Sequence, residues 1–214
     1  MNIKDILFAE VNLPSIDKVE ATKQILAIPN RFSFWDDYRH TKMIPLMSKG
    51  GMLASNSIPG EFSWNGHTPK IISDWFDNVV FPWMGMKSRV MALITQPNMA
   101  NYEHIDCEPF ELNTLQHKFR IVLQGKTDTL YFITKDGNVE APNINGPFIM
   151  DGGWVHGMNN NTDGIKVTLA VGAPWIGNAK YDNIKVFMDR TNYQMPDNLL
   201  PYWKNTKEQK VDIY

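Results

Sequence analysis

The second half of the chain carries a series of short segments with the hydrophobic pattern of β-strands. They are rich in β-branched and aromatic residues and span 90–95, 118–123, 129–134, 147–150 and 166–171. Turns rich in Gly, Asn and Pro separate them. Short strands joined by turns of this kind are typical of a sandwich or barrel and not of a parallel sheet.

The first half predicts two helices and a long irregular segment. Apolar residues at helical spacing predict a helix over 15–26. A second helix is predicted to begin at Thr68 or Pro69 and to continue to Val80, because proline is tolerated in the first turn of a helix. Residues 32–65 are rich in aromatic residues, Gly and Pro. We expect them to form long loops that border a pocket.

Composition narrows the class of protein. Of the 214 residues, 43% are hydrophobic and 21% are charged, which indicates a folded core and excludes a disordered chain. The net charge of -2 argues against nucleic-acid binding through phosphate neutralisation. The single cysteine, Cys107, excludes an intrachain disulfide and a zinc site built on several thiolates.

The chain also lacks the hydrophobic runs of membrane and secreted proteins. No run approaches the roughly 18 apolar residues of a membrane span. Asp5 and Glu10 interrupt the apolar residues at the N-terminus, which argues against a secretory signal. We therefore expect a cytoplasmic protein with no membrane or nucleic-acid partner.

Two histidines and an aspartate have the spacing of a metal site. On an extended strand His104 and Asp106 point to the same face, so that both side chains can reach one ion. His156 follows about 50 residues later. Two His and one carboxylate form a facial triad that suits non-haem Fe(II). Lys166, ten residues after His156, shares a strand face with Thr168, and a cation with a hydroxyl can hold a distant carboxylate.

This set of residues resembles the 2-oxoglutarate- and Fe(II)-dependent oxygenase superfamily. Within it, the chain is most similar to the aspartyl/asparaginyl β-hydroxylase-like and prolyl-hydroxylase-like branches. The family pattern is His-x-Asp, a second His, and Arg-x-Ser/Thr about ten residues later. Here these positions read His104-Ile-Asp106, His156 and Lys166-Val-Thr168.

The resemblance implies a fold, a metal and a co-substrate. The fold is a mainly β double-stranded β-helix, a jelly-roll barrel with flanking helices. His104, Asp106 and His156 would hold Fe(II). 2-Oxoglutarate would chelate the iron and place its 5-carboxylate on Lys166 and Thr168. With O2, the reaction would hydroxylate a substrate and release succinate and CO2.

Two positions depart from the family pattern. Lys166 stands where Arg is usual, and Lys binds a carboxylate as a point charge instead of a two-pronged fork. The β-hydroxylase branch carries Arg-x-His on a middle strand, where this chain has Arg120 but no histidine two residues later. Arg120 is therefore a second candidate for a carboxylate of the co-substrate. His117 is expected to be a surface or barrel-wall residue and not a ligand.

The resemblance also implies how the chain is divided. We expect one oxygenase domain over 1–214, with a helical and loop part over 1–85, a metal-binding jelly-roll core over 86–176 and an extension over 177–214. We expect the substrate to be a peptide side chain or a small molecule. Two alternatives stay open, namely a jelly-roll binding or structural protein with a vestigial metal site, and a cupin-type metalloenzyme that does not use 2-oxoglutarate.

Overall fold

Thirteen strands and four α-helices are found in a computed structural model that describes residues 2–36, 40–49, 61–172 and 179–207. The helices are α1 Lys18–Leu26, α2 Lys70–Trp75, α3 Phe81–Met84 and α4 Leu200–Lys207. The strands are β1 Ile6–Val11, β2 Phe34–Asp36, β3 Thr41–Ser48, β4 Ser63–Trp64, β5 Val90–Thr95, β6 Met99–His104, β7 His117–Gln124, β8 Leu130–Thr134, β9 Gly137–Glu140, β10 Phe148–Asp151, β11 His156–Asn160, β12 Lys166–Val171 and β13 Ile184–Asp189.

The larger of two antiparallel sheets has nine strands. Its order is β13-β1-β10-β7-β12-β5-β3-β2, with β4 paired to β3. One face packs against α1, α2 and α3 through alternate residues of the central strands, such as Phe119, Ile121 and Leu169. Because side chains alternate along a strand, the residues between them point to the opposite face. That face carries Lys118, Arg120 and the other groups described below.

The smaller sheet has the order β6-β11-β8-β9 and covers the opposite face of the larger sheet. Val122, Phe148 and Met150 from the larger sheet form one buried cluster with Leu130 and Phe132 from the smaller one. The candidate site residues lie between the two sheets, beside this cluster. Burial of apolar side chains from both sheets therefore sets the distance between the site residues.

The predicted fold class is confirmed, because the chain is mainly β with two facing antiparallel sheets and flanking helices. The five strands predicted in the second half correspond to β5, β7, β8, β10 and β12. Within the part of the chain that the structure describes, no strand pairing joins the two sheets. The architecture is therefore a pair of sheets and not a closed barrel.

The secondary structure at both ends of the chain differs from the expected helices, loops and extension. Residues 1–85, expected to be helices and loops, contribute β1 and β3 to the larger sheet, and the expected extension 177–214 contributes β13, which pairs with β1. β1 and β3 are buried on both faces over most of their length. They therefore lack the alternation of apolar and polar residues by which a half-exposed strand is recognised.

The two helices predicted from the sequence are present, but they begin and end at other residues than predicted. α1 begins at Lys18, because Asp17 accepts a hydrogen bond from the N–H of Glu20 and acts as the N-cap. The second helix begins after Pro69 and continues through a π-helical turn, Phe76–Val80, into α3. Gly85, with a φ of 75°, ends it. None of the helices in the described ranges is long and apolar enough to cross a membrane.

Two aromatic residues of 32–65 lie on the helix side of the larger sheet, away from the candidate site. Phe32 stacks on His67, and Trp64 packs against Phe76 and Phe81 in the helix-side core. The expectation that this segment borders the pocket is therefore wrong for these residues. Residues 37–39 and 50–60 of the segment lie outside the described residues, as do 173–176 of the expected jelly-roll core.

Candidate active site

Two histidines face each other across the neighbouring strands β6 and β11. His104 ends β6, His156 begins β11, and the two are register partners in the antiparallel pair. Their ring centroids lie 4.5 Å apart. Both side chains are buried, so the pair is enclosed between the sheets.

Asp106 brings a carboxylate to the same point from just beyond the end of β6. Its N–H donates to the carbonyl oxygen of Gly152 over 2.8 Å, which holds the turn that follows the strand. Its Oδ1 lies 3.4 Å from Nε2 of His104, and its Oδ2 lies 3.6 Å from Nε2 of His156. One possible ligand atom from each of the three residues lies within 4.8 Å of the others.

Backbone carbonyls orient both imidazole rings. Nδ1 of His104 lies 2.8 Å from the carbonyl oxygen of Tyr102, and Nδ1 of His156 lies 2.8 Å from that of Trp154. A carbonyl oxygen can only accept a hydrogen bond, so Nδ1 carries the proton and Nε2 keeps its lone pair. Nε2 of His156 is buried and has no hydrogen-bond partner among the described residues. These three residues therefore fit a divalent metal ion, which takes imidazole lone pairs and a carboxylate oxygen.

The charge states of the triad also suit a metal. Burial, reinforced by His104, lowers the pKa of His156 to about 3, so that the ring is neutral at physiological pH. Burial raises the pKa of Asp106, but Lys118 and the two histidines outweigh this effect and hold it well below its usual range. The site therefore offers a neutral imidazole at His156 and an ionised carboxylate at Asp106, the protonation states in which these side chains coordinate metals.

Arg120 lies beside the triad. Its Nη2 is 3.7 Å from Oδ2 of Asp106, and its side chain is largely buried in the middle of β7. It also lowers the pKa of Lys166, so its positive charge acts on both the triad and the lysine. Arg120 is thus linked by contact to Asp106 and by charge to Lys166.

Lys166 and Thr168 lie on the site-facing side of β12, since Val167 and Leu169 between and after them pack in the helix-side core. Lys166 is only 1% exposed, and its Nζ donates to the hydroxyl of Thr129. Burial lowers the pKa of Lys166 to about 7. The hydroxyl of Thr168 is buried and, within the described ranges, has no hydrogen-bond partner.

The sequence analysis missed three residues of the site. Thr129 contacts Lys166, Gly152 lies against Asp106, and Lys118 acts on the charge of Asp106. For Lys118 a signal was present, because it lies two residues before Arg120 and so shares its strand face. Thr129 and Gly152 have no such signal, because the pairing of distant strands places them.

A methyl group at position 152 would disturb the triad. A Cβ at Gly152 would lie 2.8 Å from Cε of Lys118, 3.0 Å from the carbonyl oxygen of Gln116 and 3.1 Å from Cβ of Asp106. We expect Gly152→Ala to displace Asp106 and to weaken metal binding about 10- to 100-fold, as loss of a supporting group does. Calorimetric titration with Ni(II) measures the affinity. Gly66→Ala is the control, because no atom lies within 4 Å of its Cβ. Equal affinity in Gly152→Ala and wild type would contradict the prediction.

His117 supports the wall of the larger sheet. Its Nε2 lies 3.0 Å from the carbonyl oxygen of Ile6, its Nδ1 lies 2.8 Å from the hydroxyl of Tyr181, and its side chain is fully buried. It alternates with Arg120 along β7 and points away from the triad. The structure therefore makes it a wall residue, and the surface alternative is wrong.

Comparison with known proteins gives fold matches only. No protein-family model and no curated protein matches the sequence. A crystal structure of HygX from Streptomyces hygroscopicus, with nickel and 2-oxoglutarate bound, matches 89% of this chain and 96% of its own, with a TM-score of 0.53 and 7% identity. The structure of a 2OG-Fe(II) oxygenase family protein from Burkholderia pseudomallei matches 76% of this chain and 79% of its own, with a TM-score of 0.48 and 11% identity.

The chain has the fold of the 2-oxoglutarate- and Fe(II)-dependent oxygenases. A prolyl-4-hydroxylase from Pseudomonas putida is also similar, over 80% of this chain and 95% of its own, with a TM-score of 0.49 and 10% identity. Identities this low establish the fold alone. The chemistry must therefore be argued from the residues of this chain.

Proposed function

We propose that the protein is an Fe(II)- and 2-oxoglutarate-dependent oxygenase that hydroxylates a peptide side chain or a small molecule. The observation that carries the proposal is the convergence of His104, Asp106 and His156, with the lone pair of a buried Nε2 left without a hydrogen bond. Lys166 supports the same function, because a buried ammonium beside a hydroxyl can bind the carboxylate of a co-substrate.

The three converging side chains would hold Fe(II) on one face and leave positions for other ligands. When bound, the iron supplies the oxidising chemistry in which O2 is consumed and 2-oxoglutarate is converted to succinate and CO2. The protein's part is to hold the ligands in one geometry. The carbonyl oxygens of Tyr102 and Trp154 keep the rings aimed at the common point, and the packed sheets exclude water.

Lys166 and Thr168 are proposed to bind the distal carboxylate of 2-oxoglutarate. Lys166 supplies the charge, and Thr168 supplies a hydroxyl that can donate a hydrogen bond. Thr129 holds the ammonium in position. Arg120 contacts Asp106, so that it orients the carboxylate of the triad, and its charge acts on Lys166. It is the second candidate for binding the co-substrate.

Succinate formation separates this proposal from the two alternatives. Anaerobically purified protein is loaded with Fe(II), and succinate is measured after addition of 2-oxoglutarate and air. We expect slow succinate formation without substrate, which a substrate accelerates, and none in His156→Gln protein. Oxygen consumption that does not require 2-oxoglutarate would instead indicate a cupin-type enzyme. Failure to retain any metal would indicate a binding or structural protein.

A further inference from the structure

Three basic side chains on the side of the larger sheet lie near the proposed metal site. Lys118 and Arg120 alternate with the helix-facing residues of β7, so both point between the sheets. Arg89 comes directly before β5 and lowers the pKa of Lys118, which places its charge near this group. The triad thus borders a cluster formed by Arg89, Lys118 and Arg120, which we call the basic cluster.

Small residues at the end of β12 and directly after it lie beside the basic cluster. Ala170 pairs with Arg120, and the N–H of Gly172 donates to the carbonyl oxygen of Arg89 over 3.0 Å. A Cβ at Gly172 would lie 3.6 Å from Nε of Arg89, so the guanidinium extends over this glycine. The long side chains of Arg120 and Arg89 therefore lie beside two small residues.

Positive charge exceeds negative charge at this place. Within the described part of the chain the ammonium of Lys118 forms no ion pair. Burial lowers its pKa, and Asp106 is the carboxylate that opposes this shift. Asp106 already contacts His104, His156 and Arg120, and a bound metal would add two positive charges. Like charges in a partly buried site repel each other, and this repulsion is relieved when an anion binds.

The basic cluster is distinct from the carboxylate site at Lys166. Gly172 and Lys166 are six residues apart on the same extended segment, which corresponds to about 20 Å. One carboxylate group cannot contact both ends. The cluster is also half-buried between the sheets, so a small anion suits it better than an extended polyanion.

We propose that the primary substrate carries an anionic group, a carboxylate or a phosphate, which binds Lys118 and Arg89 beside the metal site. The role as a substrate site rests on the proposed function, whereas anion binding by the cluster does not. The substrate class is thus narrowed to small acids or phosphate esters whose oxidised carbon lies near the anionic group.

A binding experiment tests the anion site without activity. Inorganic phosphate and, separately, acetate are titrated into metal-free Lys166→Gln protein at constant ionic strength, so that the second carboxylate site does not contribute. We expect binding of one or both anions, weakened at least about tenfold by an additional Lys118→Gln or Lys118→Met substitution. Lys23→Gln is the matched control, because its side chain is 77% exposed and distant from the site. Equal anion affinity with and without Lys118 would overturn the proposal, and thermal unfolding of each variant shows that it is folded.

An activity experiment tests the substrate class. Pairs of small molecules, each an acid with its primary amide or a phosphate ester with its alcohol, are compared for acceleration of succinate formation. We expect the anionic member of a pair to be preferred, and its KM to rise at least about tenfold in Lys118→Gln but not in Lys23→Gln. Equal acceleration by the neutral members would overturn the substrate class. Loss of anion binding in Lys118→Gln, together with no 2-oxoglutarate turnover in any protein, would retain the anion site and refute the oxygenase function.

Discussion

Replacing His156 with alanine is expected to abolish turnover and to lower the affinity for Fe(II) or Ni(II) at least about 100-fold. Loss of a group that only supports a ligand typically costs 10- to 100-fold, so loss of a ligand costs more. His104→Ala is expected to behave in the same way. Calorimetric metal titration and succinate formation measure the two effects.

The experiment must distinguish loss of the metal from unfolding of the variant protein. His156 is 1% exposed, so alanine leaves a cavity, and His156→Gln is the variant that better preserves the volume. His67→Ala is the matched control, because this histidine stacks on Phe32 and contacts the carbonyl of Pro45, away from the triad. Wild-type metal affinity in a folded His156 variant would refute the assignment.

The second large effect is expected at Lys166. Removing one partner of a buried charge pair costs about 3–5 kcal/mol, so Lys166→Ala should weaken 2-oxoglutarate binding by roughly two to three orders of magnitude. Metal binding should persist, because Lys166 does not contact the triad. Lys166→Arg keeps the charge and should retain measurable activity. The affinity is measured by anaerobic titration of the Fe(II) protein with 2-oxoglutarate, followed by the charge-transfer absorbance. Equal affinities for wild type and Lys166→Ala would mean that the carboxylate binds elsewhere. Arg120 would then be the next residue to test.

The same lysine predicts a pH dependence. Burial, reinforced by Arg120 and opposed by Asp128, lowers the pKa of Lys166 to about 7 in the free protein. A bound carboxylate favours the charged form, so the pKa is higher in the complex and binding takes up a proton above pH 7. The affinity for 2-oxoglutarate should be constant below about pH 7 and fall as the pH rises above it. Calorimetry in buffers of different ionisation enthalpy measures the proton uptake, which Lys166→Arg should lose.

Sequence reasoning was most effective where one face of a strand is buried and the other is not. The alternation in 118–123 predicted β7, and its period of two placed Arg120 on a defined face. It failed for β1 and β3, because burial on both faces removes the alternation, and for β13, which is ordered by pairing with β1. It also missed Thr129, which the pairing of distant strands brings to the site, and Lys118, although Lys118 shares the strand face of Arg120.

The sequence by itself determined which reactive groups are present and which neighbours along the chain share a face: His104 with Asp106, and Lys166 with Thr168. For Lys166 and Thr168 this follows from strand geometry alone. Asp106 lies just beyond the end of β6, so its position also depends on the hydrogen bond from its N–H to the carbonyl oxygen of Gly152. Only the tertiary structure decided which groups from distant segments meet. The pairing of β6 with β11 brings His156 to His104, and the packing of the two sheets brings Arg120 to Asp106. Strand order and sheet packing depend on the burial of the whole core, which no local pattern contains.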